Sequence, residues 1–172
     1  MRSQILLAVP ALLLAMTVSA RPAQKTARAE LYDAKSEKIG SATLREVKGG
    51  VKISLNLSHL PPGTHALHIH AVGKCDAPDF KTAGPHFNPA GKKHGTKSPQ
   101  GPHAGDLPNL VAGKDGRAKV SVIASHVTLG GGANSLFHPE GTALVIHEKL
   151  DDYVTDPAGN AGARIACGVV QK

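Results

Sequence analysis

Residues 51–58 alternate without a break: Val51, Ile53, Leu55 and Leu57 take one parity, and Lys52, Ser54, Asn56 and Ser58 the other. A period of two is what a half-buried strand requires, because successive side chains of an extended chain leave opposite faces. A buried helix needs an apolar period of about 3.6, and no stretch of this 172-residue chain has one. Further β-like runs cover 29–34, 39–47, 65–72, 117–124, 142–148 and 164–170, with turns at Gly49-Gly50, Pro61-Pro62-Gly63, Asp115-Gly116 and Gly130 to Gly132. Gly (19) and Pro (12), against 3% aromatics and no Trp, favour short elements joined by many turns. These features exclude a coiled coil or helical bundle and predict an all-β antiparallel sandwich or barrel. Two long segments interrupt the pattern, Gly73 to Gly105 and Lys149 to Ala163. Loops of that length in a small domain are functional or disordered, and the first is dense in potential ligands.

The formal charge is +7. Its cations are scattered and few aromatics are available to stack on bases, so nucleic acid is not an expected partner. The first twenty residues read as an export signal: Met1-Arg2 carries positive charge, Ile5 to Val18 is almost continuously apolar, and Val18-Ser19-Ala20 offers a cleavage site. The apolar run is short for a bilayer span and no second one follows, so the mature protein is expected to lack a membrane anchor; the competing reading is a retained, membrane-attached N-terminus. Residues 21–27 are expected to be a loose leader and 28–172 the functional domain. Export to the periplasm or outside the cell means an oxidising compartment, where the two cysteines, Cys75 and Cys167, can form a lasting bridge.

The ten histidines carry the chemistry. In the run 65–70 the strand period puts His68 and His70 on one face, where two imidazoles can grip one metal, and His65, Leu67 and Ile69 on the other. The first long loop supplies His86, His94, His103 and Asp106, and three imidazoles with one carboxylate suit a closed tetrahedral zinc site. His147 ends the apolar run Leu144-Val145-Ile146 and can reach the sheet edge near His68 and His70. That is too many donors for one metal. His65 is expected to be a packed, hydrogen-bonded residue, and His59, His126 and His138 to lie at the surface or in turns.

Several stretches resemble, in order, the signatures of the copper/zinc superoxide dismutases: His68-Ile69-His70, Gly84-Pro85-His86-Phe87-Asn88-Pro89, His94-Gly95, His103-Ala104-Gly105-Asp106-Leu107, Leu144 to Lys149, and Gly159 to Val169. The resemblance runs from about residue 28 to the C-terminus and is strongest to the exported bacterial branch. It implies an eight-strand Greek-key β-barrel with two functional loops, and disproportionation of superoxide to dioxygen and hydrogen peroxide. Copper would be held by His68, His70, His86 and His147, and zinc by His86, His94, His103 and Asp106. His86 would bridge the ions and carry a proton, Arg164 would meet the superoxide anion, Asp151 would join a copper-bound to a zinc-bound histidine, and Cys75 would pair with Cys167. The loop before Arg164 is shorter than in animal and plant relatives, with Pro157 and Ala158 in place of their Lys-Thr pair, which puts steering by that loop in question. The family includes monomers and homodimers. A non-catalytic exported copper and zinc carrier is the rival expectation, disfavoured by retention of every copper ligand and of Arg164.

Overall fold

The computed structural model describes residues 24–172, so the expected export signal at 1–20 lies outside the described residues. Among those described, nine strands form: β1 Thr26–Asp33, β2 Lys38–Val47, β3 Gly50–Leu57, β4 Gly63–His65, β5 Leu67–His70, β6 Leu110–Ala112, β7 Ala118–Ala124, β8 Ala143–His147 and β9 Arg164–Val169. Seven make one antiparallel sheet in the order β5-β8-β9-β1-β2-β3-β7, and β4 pairs with β6 in a separate ribbon. The ribbon lies between the sheet's two edges. β4 runs through Ala66 into β5, and β6 turns at Asp115-Gly116 into β7, so the curled sheet closes as a barrel. No helix among the described residues is long and apolar enough to cross a membrane.

Three details differ from expectation. The run expected over 65–72 is split at Ala66: His65 pairs with Leu110, whereas Leu67 pairs with Ile146. This change of partner turns the seven β-like runs into eight strands, and β6 makes nine. Second, β6 was not expected, because a three-residue strand is too short to display a period. Third, Thr26 and Ala27 belong to β1, paired with Arg45 and Leu44, so the expected leader is ordered at its C-terminal end.

The alternation of β3 does what its pattern requires. Val51, Ile53, Leu55 and Leu57 are buried against Leu31, Leu44, Leu110 and Leu144, and each fully buried aliphatic side chain contributes roughly 1.5–3 kcal/mol. Its other face stays in solvent, where Ser54 meets Ser121 across the β3–β7 pair. At the β2–β3 turn, Gly50 has φ +140 and a Cβ there would run into the Ala124 carbonyl, leaving no space for a side chain.

Candidate metal centre

The free edge of β5 seats the site. The loop 71–109 lays a ladder along it: Phe87 N donates to Ile69 O (2.8 Å), Ile69 N to Gly105 O (2.9 Å), and Ala71 N to Pro85 O (2.8 Å). That ladder sets His86 beside His70 and Asp106 beside His68. On the other side β8 pairs with β5 and ends at His147, whose N donates to Ala66 O at 3.0 Å. His65 faces away, as its parity predicts. It is buried, with Nδ1 2.8 Å from His147 O and Nε2 2.7 Å from Pro61 O.

Two buried donor groups of four result, each with its ligand atoms within 4.8 Å of one another, His68, His70, His86 and His147, and His86, His94, His103 and Asp106; a third, of His68, His94 and Asp151, meets the same limit. In the first, His68 Nδ1, His70 Nε2, His86 Nε2 and His147 Nε2 are buried with no hydrogen-bond partner. Orphaned buried nitrogens are costly unless something fills the space between them, and four convergent imidazoles suit copper. In the second group, Asp106 Oδ1 lies 3.0 Å from His86 Nδ1, 3.0 Å from His94 Nδ1 and 3.4 Å from His103 Nδ1. His86 thus offers one nitrogen to each group.

The far side of these rings is also held. His68 Nε2 is 2.9 Å from Asp151 Oδ2, and His94 Nε2 is 3.0 Å from Asp151 Oδ1, so one carboxylate joins the two groups. His70 Nδ1 lies 2.8 Å from Gly84 O, and His147 Nδ1 3.3 Å from Gly162 O. Such acceptors fix which ring nitrogen remains free for a metal. Asp151 is itself clamped by Asn109, whose Oδ1 accepts from Asp151 N and whose Nδ2 donates to Asp151 O, both at 2.9 Å. Gly159 packs against it with φ +63; a Cβ there would run into the Asp151 carboxylate and lie 2.8 Å from His94 Nε2. Neither Asn109 nor Gly159 stood out in sequence as a site residue. An amide and a glycine have no chemistry of their own, and their roles exist only once residues 151 and 109 have met.

The two groups differ in electrostatics. Burial, reinforced by neighbouring imidazoles, lowers His86 to about 4 and His147 to about 3, and holds His70 well below its ordinary range. Burial opposes the charged form of His94 too, but bonds to Asp106 and Asp151 outweigh it and raise that ring to about 9. Burial likewise disfavours ionised Asp106 and Asp151, yet both are held far below the usual carboxylate range, Asp106 by His103, His86 and His94, and Asp151 by His68 and His94.

At the mouth, Arg164 Nη1 donates to Phe80 O and Nη2 to Gly84 O, each at 2.7 Å. It lines an open cleft of about 440 Å³ with Pro78, Asp79, Lys81, Gly162 and Ala163. The Cys75–Cys167 disulfide ties loop 71–109 to β9, joining residues 92 apart in sequence. On loop 71–109, Lys93 is paired with Asp156 at 3.0 Å. The cation beside Arg164 is instead Lys81, itself paired with Asp79 at 2.7 Å. His138, expected at the surface or in a turn, is partly covered. Its ring stacks on Phe87 at 5.1 Å and its Nε2 is buried.

A profile of the copper/zinc superoxide dismutases matches residues 38–170. The chain is 56% identical over 145 residues to superoxide dismutase [Cu-Zn] 1 of Aquifex aeolicus, covering 83% of this chain and 86% of that protein. Over 144 residues it is 40% identical to superoxide dismutase-like protein YojM of Bacillus subtilis, covering 82% and 74%. Among solved structures, it superposes on a double mutant of a SOD-like protein from Bacillus subtilis with TM-score 0.82 at 40% identity, covering 84% of this chain and 97% of the other. The Cu/Zn superoxide dismutase of Brucella abortus superposes with TM-score 0.71 at 29% identity, covering 86% and 100%. With its strand order, its shared histidine and these relatives together, the chain belongs to the copper/zinc superoxide dismutase family.

Proposed function

We propose that this protein disproportionates superoxide, two superoxide anions and two protons giving dioxygen and hydrogen peroxide. Copper would be held by His68, His70, His86 and His147, and zinc by His86, His94, His103 and Asp106. The observation that carries this reading is the set of four buried, unpartnered imidazole nitrogens beside a carboxylate-centred set that shares His86. When bound, copper supplies one-electron redox exchange and zinc a fixed positive charge.

The chain's own residues do the rest. Arg164 presents a permanent cation at the cleft, with Nη1 and Nη2 each anchored to a carbonyl, so its remaining N–H groups can orient a small anion. His86 Nε2 is the atom suited to hold and release a proton. It faces the reaction space, whereas Nδ1 is fixed by Asp106, and burial keeps the ring from retaining charge. Asp151 and the Gly84 and Gly162 carbonyls keep the other rings in one tautomer, so donor atoms need not reorganise between half-reactions. Residues 1–20 would direct export to the periplasm or medium and be removed, leaving an enzyme with no membrane anchor; the Cys75–Cys167 bridge fits such a compartment.

The test is the dismutation rate of the copper- and zinc-loaded protein beside His147→Ala. Rapid turnover that slows with added salt and is lost in His147→Ala is the expected result. Tight binding of both metals with turnover no faster than free copper would refute the enzyme and leave a metal carrier.

A further inference from the structure

The shortened segment 148–163 carries three aspartates. Asp151 is engaged by His68 and His94. Asp152 is spent within its own loop, accepting from Val154 N at 2.9 Å, Thr155 N at 2.8 Å, Thr155 Oγ1 at 2.6 Å and Asn160 Nδ2 at 3.0 Å. Asp156 reaches across to the other loop. Its Oδ1 accepts from His94 N at 2.8 Å and its Oδ2 from Lys93 Nζ at 3.0 Å.

The segment it grips is the one that delivers His94. Three successive residues are pinned there: Lys93 and His94 by Asp156, and Gly95 through its N, which donates to Asp106 Oδ2 at 2.8 Å. The two loops also meet where Lys97 N donates to Tyr153 O at 3.1 Å, and where Gly95, at φ +99, lies against the Tyr153 carbonyl with no space for a side chain. His94 is fully buried, so its backbone N–H has no access to water and Asp156 is its acceptor. Without that acceptor the amide would be stranded, and the chain at residue 94 would shift to satisfy it.

We infer that Asp156 is a positioning residue for His94, so that loop 148–163 serves here as a clasp on the zinc-binding loop rather than as a guide for substrate. The inference rests on the zinc assignment of His94 proposed above. It gives the departure from the longer-looped relatives a physical content: a carboxylate closing on a ligand's backbone stands beside Pro157 and Ala158, the positions at which the resemblance puts those relatives' Lys-Thr pair.

The experiment titrates the oxidised, metal-stripped protein with Zn2+ against a chromophoric chelator, for wild type, Asp156→Ala and Asp156→Asn. Copper affinity and the Co2+ absorption spectrum of the zinc site are read in parallel. Asp156→Ala should weaken zinc about tenfold, at the lower end of what outer supports of metal ligands contribute, and alter the Co2+ bands, with copper affinity unchanged. Asp156→Asn keeps an oxygen for His94 N and should restore zinc binding to within about twofold of wild type. Zinc affinity unaltered in Asp156→Ala, an equal loss of copper, or an Asn variant as weak as Ala would each overturn the clasp. A wild type that binds zinc tightly but turns over no superoxide would sink the enzyme reading and leave the clasp standing.

Discussion

The two halves of the metal centre are built on opposite principles although they share a residue. In the half proposed for zinc, Asp106 brings a counter-charge into the middle of three imidazoles, and its Oδ2 also accepts from Gly95 N at 2.8 Å and His103 N at 3.0 Å. In the half proposed for copper no carboxylate stands among the four donors, whose nitrogens face one another without a partner. The carboxylate therefore holds the zinc half together before any ion arrives. The copper half is held from behind, by Asp151, Gly84 O and Gly162 O, while its front stays unsatisfied. A site that assembles itself binds by completing a charge balance; one that is held open binds by relieving a deficit.

The sharpest way to break this contrast is to remove the counter-charge. Asp106→Asn should cost zinc at least about a hundredfold in affinity, read by chelator competition, and should bring His94 down from about 9, read by NMR titration, because its strongest support is gone. Asp151→Asn should instead weaken both metals by about tenfold each, since the one carboxylate backs His68 and His94 alike. Loss confined to one metal would show that the halves are not joined through it.

The smallest effect is on pH. His86 and His147, lowered to about 4 and about 3, take up a proton less readily in the fold than in the unfolded chain, where histidine titrates near 6.5, so metal-free stability falls as pH drops below about 6.5. His94 works the other way. Raised to about 9, it stabilises fully below about 6.5 and loses that contribution as pH rises through 9. Melting of the metal-free protein should be highest near pH 6.5 and decline by a few degrees on either side. Zinc, which at the proposed site would take the place of the proton on His94, should flatten the alkaline limb.

How much of this was legible in the sequence follows the same divide. β3 was readable because one face is buried along its whole length, and the strand found, Gly50–Leu57, is offset by one residue from the alternating stretch. The histidines were legible as chemical types and through family resemblance. The β4–β6 ribbon was not, because a three-residue strand carries no period and the partner change at Ala66 depends on residues more than forty positions away. Asn109, Gly159 and Asp156 act by filling a gap or accepting from a backbone, roles that no side chain announces by type. Asp156 in particular could be read only as acidity in a loop, until its carboxylate was seen facing His94 N.

One feature of the mouth reaches further than its size suggests. The Gly84 carbonyl lies 2.8 Å from His70 Nδ1 and accepts from Arg164 Nη2 at 2.7 Å. A single oxygen atom is thus the common fulcrum of a donor ring and of the guanidinium that faces the cleft. The other anchor of Arg164, Phe80 O, is on the same short stretch, which the disulfide fastens to the strand that Arg164 begins. Covalent link, peptide stretch and hydrogen bonds make a closed linkage, and a linkage of that kind moves as one piece. The spacing of cation and ring is thus fixed by that linkage, and with it the size of the anion that the proposed function would admit there.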